Sequence, residues 1–490
     1  EVIDLAIRLE GTVRSHGVHA AGVVIAPDEI VKFIPVERSQ KQTIRADGTK
    51  QDVIATQYPM GPVEELGLLK MDFLGLSNLT ILRNAIRIIK AVHKVSIVPE
   101  EIPLDDHATF ELFQRGDTTG VFQLESAGMK RYLKELKPTA FEDIVAMVAL
   151  YRPGPMQFIG DFIARKHGEK KITYLHPGLE NSLKNTYGIL VYQEQFMQIA
   201  KEWSGFTGGQ ADTLRKAVGK KKIDLMRKVK KDFVGGAVTH GGATEEVANK
   251  FWAQLEEFAN YCFNKSHAAC YGLIAYWTAY LKAHYPDAFM AALMTSDADD
   301  IERLAIEINE CRHMGIEVLL PDVNESYVEF AIVKDKKQIR FGMSAIKNVG
   351  VGAVEEIIRA REEGGHFKDI MDFVQRVDTR KVNRKVWESL IKSGAFDNLG
   401  ETRGDLLFNL DGLLGLGAKL HKEKETNQAD LFGGLDAAAP SVAPTYKFEK
   451  APEQMKEQDA LLFERELLGL YLSRHPLDGF DVYLEENALP

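Results

Sequence analysis

The chain has 490 residues, 45% of them hydrophobic and 27% charged, with a net charge of −10. That length exceeds what one hydrophobic core supports, so three or more domains are expected, in an ordinary globular composition. The acidic balance excludes a surface that binds nucleic acid everywhere, so any polyanion must be met by local patches.

Cys262, Cys270 and Cys311 are the only cysteines, and none forms a CxxC pair, which argues against structural zinc. So few cysteines fit a reducing cytosol, hence a cytoplasmic protein. No secretory signal opens the chain, and the uncharged run Ala268 to Leu281, fourteen residues, is too short for a bilayer. The chain opens at Glu1 inside an apparent helix, with Val2, Leu5, Ala6 and Leu9 on one side, and reads as a fragment.

A β-like run, Ala21 to Ile25, closes at Pro27. Between Leu66 and Leu76, Leu69, Met71 and Phe73 alternate with Lys70 and Asp72, which predicts a strand with one polar face. A sheet-based unit is expected to end near residue 78. From about 79 to 320 the pattern is helical, with stripes such as Ile81, Ala85, Ile88, Ile89 and Val92. Further helices are predicted at Glu125 to Leu136, Phe141 to Leu150, Gln193 to Trp203 and Ala248 to Phe258. Pro153-Gly154-Pro155, Gly208-Gly209, Gly235-Gly236 and Gly241-Gly242 read as turns between helices. Around Ile346 to Gly352 a glycine hairpin sits between two helical patterns, and Lys381 to Gly394 repeats that flavour. After Gly415 the pattern weakens, and 417–456 reads as a linker. Gln458 to Leu472 predicts a last helix.

Five places could carry chemistry. Asp72, a carboxylate on an apolar strand, requires a cation, either a divalent metal or a neighbour such as Lys70. One carboxylate is not a magnesium site. Second, Arg215, Lys216, Lys220, Lys221, Lys222, Arg227, Lys228, Lys230 and Lys231 fall within seventeen residues with only Asp224 against them. Such a run is either a solvated helix face or a grip for polyphosphate or a phosphodiester backbone. Third, Tyr261 to His267 combines aromatic rings with Asn264, Lys265, Ser266 and His267. It offers stacking and donors, or simply a helix capped by Asn264 or Ser266, and both can hold at once. Arg152 lies in a proline-bounded turn that would aim its guanidinium, or caps a helix end. Tyr192-Gln193-Glu194-Gln195 suggests a strand-to-helix junction, as do Gln123, Glu125 and Ser126. Fourth, Val349, Gly350 and Gly352 fit a helix-hairpin-helix whose amides donate to a phosphate without reading bases. Fifth, Gln428, Asp430, Leu431 and Phe432 form an apolar island that would dock in a partner's pocket. Neither a GxxxxGK[ST] string nor HExxH occurs, which disfavours a P-loop ATPase or a zincin-type hydrolase.

Several separated strings resemble the bacterial DNA polymerase III alpha subunits, the C-family replicative polymerases. They are His19-Ala20-Ala21-Gly22-Val23-Val24-Ile25, Lys70-Met71-Asp72-Phe73-Leu74-Gly75-Leu76, Gly120-Val121-Phe122-Gln123-Leu124-Glu125-Ser126, Tyr151 to Pro155, Tyr187 to Gln195, and Phe263-Asn264-Lys265-Ser266-His267. The resemblance implies an α+β multidomain protein, mostly helical. Its parts would be a nucleotidyltransferase-like palm sheet, large helical fingers, a tandem helix-hairpin-helix domain and a partly disordered linker. It implies the end of a thumb at 1–17, the second part of the palm at 18–78, and fingers at 79–320. DNA- and clamp-binding helix-hairpin-helices would follow at 321–412, a linker with the clamp motif at 413–457, and a lead-in to a further domain at 458–490.

By the same resemblance, Asp72 is the third of three aspartates that hold two Mg2+ ions, with Lys70 beside it. Arg215, Lys216, Lys265, His267 and Arg152 meet the deoxynucleoside triphosphate. Lys216 stands where the family often has arginine, so it keeps charge but loses a planar fork. Lys220, Lys221, Lys222, Val349, Gly350 and Gly352 would touch DNA, and Gln428, Asp430, Leu431 and Phe432 the sliding clamp (beta subunit). Primer–template DNA and other replicative holoenzyme subunits are the remaining partners, with no membrane. The other two aspartates, an amino-terminal phosphoesterase-like domain and a carboxy-terminal oligonucleotide-binding fold are expected outside this chain. The alternative is a segment that only binds DNA and the clamp.

Overall fold

The computed structural model describes residues 2–12, 17–19, 21–44, 49–219, 223–258, 261–426, 446–478 and 480. The chain divides into two units, Glu1–Ser77 and Asn78–Pro490. The architecture is α+β and mostly helical, with small separate sheets.

In the first unit, a helix Val2–Leu9 precedes four strands: β1 (Gly22–Ile25), β2 (Val36–Ile44), β3 (Lys50–Thr56) and β4 (Leu69–Asp72). β1 pairs antiparallel with β4, in a register that sets Gly22 opposite Asp72 and Ile25 opposite Leu69. β2 and β3 form a separate antiparallel ribbon whose register shifts between Arg38 and Gln42. This ribbon was not expected from the sequence. Its strands, VERSQKQTI and KQDVIAT, lack a sustained apolar alternation, so periodicity does not announce them. The polar face predicted for β4 also needs correction. Leu69 and Met71 are 56% and 43% exposed, while the Lys70 side chain is only 14% exposed. Alternation sets which residues share a face, but not which face is covered. The unit's buried cluster is Ile34, Val63 and Leu68.

The second unit opens with the helix Ser77–Val92, whose buried stripe is Ile81, Leu82, Ala85 and Ile89. Helices continue to Ile301–His313, followed by β5 (Glu317–Leu319), β6 (Ala331–Ile332) and β7 (Gln338–Arg340). β7 is central, parallel to β5 and antiparallel to β6. Two large cores support this unit. One joins the helices Gln193–Glu202, Gly208–Gly219, Ile223–Thr239 and Glu245–Phe258 around Trp203, Phe233 and Trp252. The other runs from Ile81 through Phe289 and Phe341 to Trp387 and Leu468.

Four expectations are revised here. Gly208-Gly209 opens a helix, and Gly235-Gly236 lies inside Ile223–Thr239 instead of at a turn. A Cβ on Gly236 would stand 2.1 Å from the Ser204 carbonyl oxygen, so this glycine serves close packing. The weak pattern after Gly415 is helical as far as Thr426, because Gly417 lets the helix lie against Thr379 and Val374. Tyr446 to Glu449 return to Asn409, whose side chain bonds both the Glu449 amide and its carbonyl. The last helix is Glu457–Leu468, ended by Gly469 at φ 85°. Ahead of the Val349–Gly352 hairpin stands only a 3₁₀ turn, Met343–Ala345, not an α-helix. No helix among the described residues is long and apolar enough to cross a membrane.

Candidate functional site

Residues two apart on a strand share a face, so Lys70 and Asp72 meet. Lys70 Nζ lies 3.1 Å from Asp72 Oδ1, and the Asp72 side chain remains 40% exposed. The cation that Asp72 requires is thus present in its own strand. Among the described residues, no three His, Cys, Asp or Glu side chains gather as a bound metal would need. The described residues of this chain therefore do not fit a pair of magnesium ions by themselves.

In the second unit, two helix starts are stapled side by side. Tyr192 and Phe263 form a parallel bridge, and the Gln193 amide donates to the Phe263 carbonyl at 2.8 Å. Glu194 accepts from the Lys265 amide at 2.9 Å and from Asn264 Nδ2 at 3.0 Å. Asn264 is the N-cap of the helix Lys265–His284, its Oδ1 accepting from the His267 amide at 2.8 Å. Gln195 fixes the other start, accepting from the Val191 and Tyr192 amides and donating to Thr186 Oγ1.

A column of rings and cations stands on this platform. The Arg152 guanidinium lies 4.0 Å over the Phe263 ring. The His267 ring is 5.3 Å from Phe263 and stacks at 4.1 Å on Tyr271, which is 5.3 Å from Phe122. Lys265 Nζ sits 5.6 Å from the Tyr192 ring. Burial, then Glu142 and Glu194, push the Tyr192 hydroxyl's pKa upward, so that residue stays neutral. Lys265 and His267 are exposed and Arg152 half-buried, so the three are offered to solvent together at a helix N-terminus. Beneath Lys265 opens a cavity of about 330 Å³ lined by Glu142, Lys184, Tyr192, Glu194 and Gln198, among others. Glu142 and Lys184 were not singled out from the sequence, because no spacing rule links them to Glu194 or Lys265.

Arg215 and Lys216 are held within their own helix. Arg215 Nη2 and Lys216 Nζ each approach Asp212 at 2.8 Å, and these two donors, Lys216 first, hold the Asp212 carboxyl below its usual range. The buried side of that helix, Ala211, Leu214 and Ala217, leaves both cations on its outer surface. It packs on the helix Gln193–Glu202 and so shares a core with the stapled starts. Lys220, Lys221 and Lys222 lie outside the described residues, as do Gln428, Asp430, Leu431 and Phe432.

At the hairpin, Val349 is buried and its amide donates to the Ile346 carbonyl. Gly350 is the extended N-cap of the helix Val351–Gly364. Gly350 and Gly352 are exposed, and a Cβ on either would meet open space. Nothing inside this protein requires glycine there, and the amides of the first turn face outward. A second helix-turn-helix, Ile370–Arg376 and Arg384–Lys392, follows, its later helix capped by Asn383. Arg359 and Lys381, beside the first, are engaged by buried Glu356 at 2.5 and 3.0 Å.

Comparison with known proteins matches three family descriptions. Residues 1–75 match the bacterial DNA polymerase III alpha NTPase domain. Residues 78–241 match the bacterial DNA polymerase III alpha subunit finger domain, and 315–406 a helix-hairpin-helix motif. The chain is 44% identical over 492 residues to DNA polymerase III subunit alpha of Aquifex aeolicus, covering 100% of this chain and 39% of that relative. It is 46% identical over 482 residues to the subunit of the same name from Thermus aquaticus, covering 97% and 38%. With that of Escherichia coli it is 44% identical over 490 residues, covering 98% and 41%. The chain spans about two fifths of the length of these relatives.

Proposed function

This chain belongs to the bacterial DNA polymerase III alpha subunit family, and from that premise we propose that it supplies part of the catalytic core for template-directed DNA synthesis in a bacterial cytoplasm. In this reading residues 18–78 contribute to the palm, 79–320 are the fingers, and 321–412 bind DNA. The observation that carries it is the joining of Arg152, Lys265 and His267 around Phe263, on helix starts stapled by Glu194.

That arrangement suits a deoxynucleoside triphosphate. Cations and first-turn amides offset phosphate charge, and the stacked rings give a flat wall beside a base. Pairing with a template, not side-chain readout, would select the base. Arg215 and Lys216 would add charge from the neighbouring helix, released in part from Asp212. The outward amides around Gly350 and Gly352, with Val349 buried as their support, suit a DNA phosphate. Lys220, Lys221 and Lys222 would extend the same contact. Magnesium is the cofactor of such chemistry, and Asp72 would hold it, but no step is routed through a metal that these residues alone do not fit. Gln428, Asp430, Leu431 and Phe432 would dock in the sliding clamp. If so, alanine at Leu431 and Phe432 lowers clamp-dependent processivity and spares distributive synthesis, and equal loss of both would refute the docking role.

The test uses the full-length polymerase. Asp72→Asn should abolish incorporation while primer–template binding survives, and His267→Ala should raise the nucleotide KM about 10-fold or more, the loss of one good contact. Wild-type incorporation by Asp72→Asn would end the palm assignment. A second reading, that this segment alone only binds DNA and the clamp, is favoured by the lone carboxylate at Asp72. Nucleotide incorporation by the segment would refute it.

A further inference from the structure

We propose that His19 and Gly22 are positioning residues for the Lys70–Asp72 pair, an inference that rests on the palm reading of Asp72. Gly22 stands opposite Asp72 in the β1–β4 ladder. A Cβ on Gly22 would lie 2.8 Å from Lys70 Cε, 3.0 Å from His19 Nδ1 and 3.1 Å from Asp72 Oδ1. Three functional side chains thus close over the one spot that glycine leaves empty. Gly22 is not among the glycines with positive φ, so the missing side chain matters here, not backbone freedom.

His19 holds the backbone of the same spot. Its Nδ1 accepts from the Gly22 amide at 2.7 Å and from the Ala21 amide at 3.2 Å. A ring nitrogen that accepts carries no proton, so this geometry requires neutral imidazole with its proton on Nε2. Next to it, the Phe73 amide donates to the Ala21 carbonyl at 2.8 Å. The end of the ladder that bears Asp72 is therefore closed by His19 on β1 and by Phe73 beyond β4. Strand ends fray unless their amides are partnered. The buried cluster of this unit is only Ile34, Val63 and Leu68, so local bonds have more to do here than core packing.

Two predictions separate positioning from folding. In Gly22→Ala the new methyl meets only the outer atoms of side chains, the flexible end of Lys70 first, so the strand persists while Lys70 and Asp72 shift. In His19→Asn the amide oxygen can accept the two backbone N–H groups as Nδ1 does, whereas His19→Ala removes the acceptor.

The experiment compares these variants and Asp72→Asn in the full-length polymerase, measuring single-nucleotide incorporation and thermal unfolding. Gly22→Ala and His19→Ala should lower kcat about 10- to 100-fold, the effect of a displacement near 1 Å, with nucleotide KM within about 2-fold. His19→Asn should recover most of the loss, and Gly22→Ala should unfold at the wild-type temperature. Wild-type kcat in Gly22→Ala and His19→Ala, with Asp72→Asn inactive, overturns the proposal and leaves the palm reading standing. Failure of His19→Asn to recover activity overturns the role of His19. An active Asp72→Asn removes the palm reading itself. If His19→Ala lowers the unfolding temperature, Gly22→Ala decides.

Discussion

In Glu1–Ser77 the side chains of Leu69, Met71 and Phe73 stand 56%, 43% and 64% exposed, while in Asn78–Pro490 Phe233, Trp252 and Trp387 are fully buried. Both units carry residues expected to do chemistry, yet they hold them differently. Asp72 rests on a two-stranded ladder, the Lys70 ion pair and the His19 turn. Arg152, Lys265 and His267 rest on helix starts tied to a large aromatic core through Tyr192 and Phe196. A thin unit places side chains with hydrogen bonds, and a thick one does so with packing.

The contrast is most exposed to failure through ring deletion. Phe233 stacks on Phe251 at 6.2 Å and tilts against Trp252 at 5.3 Å. Phe233→Ala should lower unfolding free energy by about 3–5 kcal/mol, as buried aromatic deletions do. Phe73→Ala should change it by less than about 0.5 kcal/mol, as exposed sites do. Urea unfolding that gave similar losses would erase the distinction.

A smaller effect comes from adding one methyl in each unit. Helix propensity alone predicts that Gly236→Ala gains about 1 kcal/mol. The Cβ would meet the backbone oxygen of Ser204, which cannot swing aside, so a net loss of about 1–3 kcal/mol is expected. Gly22→Ala, where flexible side chains yield, should be close to neutral in stability. Thermal unfolding of the two variants reads the difference directly.

Carboxylates sharpen the comparison further. Glu307 is fully buried, neither of its oxygens has a hydrogen-bond partner among the described residues, and Arg303 Nη2 lies 3.5 Å away. Burial, then Asp297, push its pKa up from 4.5 to about 9, against the pull of Arg303. The unfolded chain therefore gives up this proton more readily than the fold. The contribution of Glu307 to stability is best below its ordinary pKa and falls as pH rises through the window from 4.5 toward about 9. Glu307→Gln removes that dependence, so wild type and variant should diverge by roughly 1–2 kcal/mol between pH 5 and pH 8, a conservative share of such a shift. Parallel curves would show that Glu307 ionises freely. Half-exposed Asp72 offers no comparable window.

Much of this was legible in the residues. Three-to-four-residue apolar spacing announced Ser77–Val92, Phe141–Leu150 and Gln193–Glu202, and alternation announced β4. Asn264 was readable as a cap, and Lys70 as a partner for Asp72, since both relations span only two or three positions. The β2–β3 ribbon escaped because a polar antiparallel pair needs no apolar period. Gly235-Gly236 misled because a glycine kept for a neighbour's backbone looks the same as one kept for a turn.

Element type, helix starts and the one-signed cationic run were thus written locally in the chain, where propensity and periodicity act over a few residues. Which groups came together was decided by the folded whole. Glu194 reaches Lys265 across 71 positions, and Arg303 reaches Glu125 across 178. No local preference encodes such meetings. They follow from which helices share a core, and only burial of that core makes one pairing better than its many alternatives.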